Sequence, residues 1–201
     1  MKKLFKKIHY NAPVILTFTF LSLFVLFLGR FTGNRSTMLF FSVYKGSMLD
    51  FSFYIRLFGH VLGHVDYEHF FNNFLLILLV GPILEEKYGG KNMVFMIVLT
   101  ALITGMLHIV FFGTTMLLGA SGVVFMLIVL SSFANMKKSS IPLTLIFVMV
   151  IFIGKEIYDG LFTSDNISHI THIIGGFCGG FFGYTIHKEK ESEQPSPPTL
   201  P

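Results

Sequence analysis

Residues 117–133 read LLGASGVVFMLIVLSSF, and residues 168–186 read SHITHIIGGFCGGFFGYTI. The first is an apolar run opened by Gly119-Ala120-Ser121-Gly122. The second carries His172 followed by Gly175, Gly176 and Gly179. A hydroxyl and an imidazole, each set among glycines where a membrane-length apolar segment begins, is more than packing alone requires. Serine-hydrolase chemistry within a bilayer is the expectation.

Composition agrees with the bilayer. Of 201 residues, 53% are hydrophobic and 13% charged, with 25 Phe and a mean hydropathy of +0.70. That excludes an ordinary soluble domain and points to an all-α, polytopic membrane protein. Six apolar stretches, each near the ~20 residues that a bilayer core requires, fall at Ala12–Leu28, Tyr67–Leu84, Met93–Phe112, Leu117–Phe133, Pro142–Ile157 and Ser168–Ile186. The expected fold is therefore a six-transmembrane-helix bundle. Its first connection, Gly29 to Asp66, is long and itself apolar, so it should lie in or on the interface as short helices. The basic start lacks a small-residue cleavage site and reads as leading into the first span. The expected organisation is a basic cytoplasmic N-terminus at 1–11, a six-helix domain at 12–187 and a disordered cytoplasmic tail at 188–201. The one cysteine, Cys178, excludes an internal disulfide and reads as small packing volume.

Charge gives an orientation. Lys2, Lys3, Lys6 and Lys7, then Lys87 and Lys91, Lys137 and Lys138, and Lys188 and Lys190 fall at the N-terminus, in alternate loops and at the C-terminus, all on one side of the spans. The positive-inside rule makes that side cytoplasmic, with both termini on it. The net charge of +4 is then a matter of topology and calls for no nucleic-acid partner. In this topology the second, fourth and sixth spans run inward. Ser121, His172 and the pair His69/Asn73 all lie in the first turns of those three spans, at one depth below the outer surface.

A fourth span of about 13 residues is ~20 Å long at 1.5 Å per residue, short of the ~30 Å hydrocarbon core. Its start therefore sits below the outer surface. A serine there has unpaired amides and the positive end of the helix dipole beside it, which can hold an oxyanion. Gly119 and Gly122 should leave room for a peptide. The blander reading makes Ser121 an N-cap in a small-residue packing motif. His172 shares a helix face with Gly175, Gly176 and Gly179, so a neighbouring helix can approach closely enough for serine–histidine contact. His169, one turn earlier, is a competing base. His69 and Asn73, at i and i+4, can donate to the same oxyanion as the Ser121 amide. His60 and His64 form another i, i+4 pair. No HExxH run occurs and carboxylates are scarce near the histidines, so neither metal nor cofactor is expected. Asp159 and Asp165 fall in an outer loop, Lys155 can pair with Asp159, and no carboxylate is evidently placed to orient His172. A Ser–His dyad is the economical reading.

The order of these motifs resembles that of the rhomboid intramembrane serine proteases. The match covers His60, His64, His69 and Asn73, then Glu85, then Gly119 to Gly122, then His172 with Gly175 and Gly179, nearly the whole chain. Arg56 corresponds to the arginine of the family's first-loop motif, here Ile55-Arg56 with no preceding Trp. Thr171 stands where Ala is frequent, and Phe125 where Tyr is frequent, leaving an aromatic face to stack on His172. The resemblance implies Ser121 as nucleophile, His172 as general base, and an oxyanion hole of His69, Asn73 and the Ser121 amide. Gly119, Gly122, Gly175, Gly179, Arg56, Glu85 and Phe125 are implied in structural or substrate-access roles. It also implies a substrate, the transmembrane segment of another, single-span protein, cut near the outer face. Separately, the expected entry is lateral, from the lipid bilayer between the second and fifth spans past Phe147 and Phe152. The chain's compactness points to a bacterial plasma membrane. The competing readings are a weak or inactive rhomboid-like protein that binds transmembrane helices, and a small transporter or carrier built on the histidines, for which no internal repeat speaks.

Overall fold

The structure, a computed structural model, describes residues 9–112, 115–134, 136, 140–162 and 169–193, with side chains of the last helix described to Ile186. Local chemistry sets the element ends. Helix α1 (Pro13–Phe31) starts on a proline, whose fixed φ and missing N–H suit a first helical turn. Asn34 and Gly33, both at positive φ, turn the chain into the short α2 (Arg35–Phe40). Asp50 caps α3 (Phe51–Gly59) by accepting the Ser52 amide at 2.9 Å, and a 3-10 turn, His60–Leu62, follows. Asp66 caps α4 (Tyr67–Tyr88) by accepting the His69 amide at 2.8 Å. Gly89, at φ +82°, ends α4, and α5 (Gly90–Phe112) begins at once.

The short α6 (Ser121–Ser132) is the centre of the bundle. Its apolar residues from Val123 to Leu130 are buried on almost every side, Phe125 being the partly open one. A helix that is apolar all round belongs inside others, and α6 packs against α4, α5, the α7 segment and the last helix. A broken helical run follows, α7 (Leu143–Val148), a π-helical stretch (Met149–Ile153) and α8 (Gly154–Phe162). The last helix, α9 (His169–Glu193), lies along α6 and α8. On the outside, Phe20, Phe24, Phe27, Leu75, Leu79, Ile83 and Phe95 are exposed, as a lipid-facing surface requires.

Among the described residues, α1, α4 and α5 are long and apolar enough to cross a bilayer. Twelve-residue α6 falls short on length, and the fifth apolar stretch is divided by its π turn. Three other expectations are corrected. Asp159 sits within α8 and not in a loop, where it pairs with Lys155 on the same helix. His60 and His64 do not share a helix face, because the chain leaves helical geometry at Gly63. Helix α9 continues to Glu193, six residues into the stretch expected to be tail. Its Lys-Glu run favours helix strongly enough to extend it. Residues 1–8 and 194–201, and with them the basic N-terminal lysines, lie outside the described residues, as do Lys137, Lys138 and Asp165.

Glu85 has a structural task. Its two carboxylate oxygens accept the Val14 and Ile15 amides, both at 2.9 Å, so a buried charge on α4 caps α1 at its dipole-positive end. Each hydrogen bond to a charged group contributes about 1.5–3 kcal/mol. Glu85→Ala is therefore expected to destabilise the protein by about 2–4 kcal/mol, read as a lower thermal unfolding midpoint in detergent; an unchanged midpoint contradicts the cap.

Candidate active site

The segment that delivers Ser121 is held by the first connection. Val43 and Leu117 exchange both backbone hydrogen bonds, at 2.8 and 2.9 Å. The His108 ring donates through Nε2 to the Thr115 carbonyl at 3.1 Å. The Gly119 amide donates to the His60 carbonyl at 2.9 Å, and the Ala120 amide to His64 Nε2 at 3.4 Å. His64 donates through Nδ1 to the Leu62 carbonyl, which leaves Nε2 as its acceptor. Burial pushes its pKa down to about 3, so the ring is neutral, as this role demands. The first connection is therefore a scaffold for the turn before Ser121.

Gly119 is at φ +121°, and a β-carbon there would lie 2.7 Å from the His69 ring. Its glycine is required twice, by backbone conformation and by His69. A β-carbon on Gly122 would meet Thr104 and Thr171 at 3.2 and 3.4 Å. At both glycines the protein's own side chains lie against the place a β-carbon would take. Ser121 is the first helical residue of α6, with Ala120 at the N-cap, and no side chain caps this end. Ser121 is half-buried, and its hydroxyl is not spent as a cap.

Helices α6 and α9 touch backbone to backbone. A β-carbon on Gly175 would collide with the Gly122 carbonyl oxygen, and one on Gly179 with the Met126 carbonyl oxygen, one turn further along both helices. The common offset means the two helices run parallel and sets Ser121, the head of α6, level with Ile174, two residues after His172. There the Phe125 ring stacks on His172, centroids 4.6 Å apart and planes within 6°. His69 borders the opposite side of the turn, against Gly119. The Asn73 amide nitrogen donates to the His69 carbonyl at 3.1 Å and to His64 Nε2 at 3.2 Å. That ring nitrogen has one lone pair, which Asn73 and Ala120 share.

Sequence reasoning missed one residue. Glu156, buried on α8, accepts through a single oxygen, Oε2, the Nδ1–H of His172 at 2.8 Å and that of His169 at 2.7 Å. The expectation of no carboxylate near His172 is thus overturned. The signal was present, because an ionisable residue within an apolar segment marks function. The partner was hidden, because it depends on the register between two helices. Arg56 is buried away from this site, its guanidinium 4.4 Å over the Tyr44 ring and donating to the Ser52 hydroxyl at 2.6 Å. Arg56 and Glu85 make contacts of their own elsewhere, whereas Gly122 meets Gly175, Phe125 meets His172, and His69 and Asn73 meet Gly119 in the turn before Ser121.

A family model, the rhomboid domain, matches residues 52–189. The chain belongs to the rhomboid family. It is also 29% identical over 143 residues to Rhomboid-related protein 1 of Caenorhabditis elegans, a match covering 65% of this chain and 39% of that protein. The chain thus aligns with about two fifths of that relative's length.

The glycine seam makes a contrast between neighbours. Gly175→Ala forces a methyl into the Gly122 carbonyl and should cost about 1–3 kcal/mol or more. Gly180→Ala should stay within about 0.5 kcal/mol, since its nearest neighbour, Val129, is 3.9 Å away. Thermal unfolding of the two variants side by side checks the seam; equal midpoints would contradict it.

Proposed function

We propose that this rhomboid protein is an intramembrane serine endopeptidase that cuts transmembrane segments of other membrane proteins near the outer face. The observation that supports the reading is the α6–α9 seam, which brings the uncapped head of α6, with Ser121 in its first turn, against the turn of α9 that carries His172, where Phe125 stacks on the imidazole. Ser121 Oγ attacks the scissile carbonyl carbon while its proton passes to His172. The oxyanion forms beside the unpaired first amides of α6, where the Ser121 amide, His69 and Asn73 donate to it. Asn73 shares its present acceptor with Ala120, and a full negative charge is the better one. His172 then hands the proton to the leaving amine, and water frees the acyl group from Ser121.

The six apolar stretches serve as six spans with both termini cytoplasmic, and α6 is short because it holds the nucleophile at a wet depth. A substrate helix must unwind before it is cut, since its own hydrogen bonds shield the peptide bond. Helix-weakening residues near the cut favour this. Entry is lateral, past the fifth apolar stretch, where Phe147 is exposed and Phe152 meets Phe125 edge-on at 6.1 Å.

With purified full-length protein and a model single-span substrate, Ser121→Ala and His172→Ala should each lower cleavage by about 10⁴–10⁶-fold. Fluorophosphonate labelling should be lost in Ser121→Ala. Cleavage indifferent to Ser121→Ala would sink the reading, and a wild-type protein that captures the substrate uncut would support the inactive binding protein instead.

A further inference from the structure

We infer that Glu156 is a positioning residue for His172, turning a serine–histidine pair into a Ser121–His172–Glu156 relay. The inference rests on the protease reading above. A carboxylate oxygen can only accept, so the 2.8 Å contact puts the proton of His172 on Nδ1. Nε2 is then the nitrogen that keeps a lone pair, as a base for the serine hydroxyl must.

The stack and the hydrogen bond divide the work. Phe125, parallel to His172 at 4.6 Å, fixes the plane of the ring but leaves it free to turn within that plane. The Nδ1–H to Glu156 bond fixes that remaining angle. Without it, the neutral ring can exchange its two nitrogens by changing tautomer or flipping.

The register that places Glu156 is built into the packing. Ile153 sits over Gly176, where a β-carbon would come within 2.7 Å of its Cδ1. Glu156 meets His172, and Gly160 meets His169, a β-carbon on Gly160 lying 3.3 Å from the His169 Cβ. Ascending positions on the fifth stretch meet descending positions on α9, so the two run antiparallel with glycines on both sides of the Glu156–His172 contact. Ile153 and Glu156 are one turn apart and are the buried residues of the π stretch and α8. A π turn shifts the following face by about 100°, one residue of a 3.6-residue turn, and such turns recur at functional sites.

The same three residues have a composition that suits a metal, with their donor atoms within 4.8 Å of one another. The spacing argues for hydrogen bonds. Both imidazoles approach one oxygen, at 2.7 and 2.8 Å. Tetrahedral zinc ligands at about 2.0–2.1 Å stand about 3.3 Å apart. A buried carboxylate also needs partners, because an unpaired charge in an apolar segment is costly. Two N–H donors supply them.

The test uses full-length protein in detergent, with Glu156→Ala, Glu156→Gln and Glu156→Asp checked for an intact unfolding transition. Imidazole 15N shifts of His172 should show an Nδ1–H tautomer in the wild type and its loss in Glu156→Ala. On a single-span substrate, Glu156→Ala should lower kcat by about 10²–10³-fold with KM within about threefold. That is less than the ~10⁴ of triad acids in soluble enzymes, because Phe125 still holds the ring plane. Glu156→Gln, which keeps an acceptor without the charge, should fall in between, and Glu156→Asp should recover part of the loss. The inference is overturned if His172 keeps its Nδ1–H tautomer in Glu156→Ala, if turnover stays within threefold, or if a chelator alters the wild-type His172 signals. Cleavage unaffected by Ser121→Ala would instead fell the protease reading, and the tautomer measurement would still decide what Glu156 does to His172.

Discussion

The structure depends on the backbone contact between α6 and α9. Gly175 and Gly179 lie so close to the carbonyls of Gly122 and Met126 that no side chain fits between. In lipid there is little hydrophobic force between helices, and close van der Waals packing through small residues takes its place. Because the contact repeats one turn later at the same offset, it fixes both depth and rotation of the two helices. Phe125 can then reach His172 face to face, and Ser121 stands one turn before Phe125 at the head of its helix. A one-residue slip along this seam that put Ile174 and Cys178 in place of Gly175 and Gly179 would bring β-carbons against the carbonyl oxygens.

The seam fixes helix α6 but not the turn that leads into it. That turn has amides with no helical partner, and buried amides must find acceptors. They find them in the first connection, in the His60 carbonyl and the His64 ring. A neutral His64 is what allows this, since a protonated ring would offer a donor where the Ala120 amide needs an acceptor. His60 and His64 thus serve as hydrogen-bond acceptors, one through its carbonyl and the other through its ring. They settle the Gly119 and Ala120 amides just before Ser121.

What the sequence made legible was periodic or local. Gly175 and Gly179 at i+3 and i+7 from His172, the shortness of the α6 segment, the aromatic at Phe125 and the Lys155–Asp159 pair all follow from spacing within one helix. What it hid depended on two helices at once. Glu156 is only a charge at the end of an apolar run until the α8–α9 register puts it on His172. The side chains that lie against Gly119 and Gly122, those of His69, Thr104 and Thr171, come from other helices. His60 and His64 read as an i, i+4 pair only while the segment is taken to be helical. The end of α9 was misplaced because composition marks a tail where Lys–Glu propensity extends a helix.

One consequence joins the fold to the chemistry. The fifth apolar stretch buries few of its own side chains. No residue of α7 is buried, the π stretch buries Ile153, and α8 buries Glu156. Both anchors rest on α9, one by a methyl group against a glycine and the other by a shared carboxylate oxygen. A polar tie between this stretch and the bundle is Glu156, which accepts from both His169 and His172. A displacement of the stretch large enough to admit a helix past Phe152 would lengthen those bonds, and its return would restore them. Under the proposed lateral entry, Glu156 would link the position of this wall to the alignment of the base.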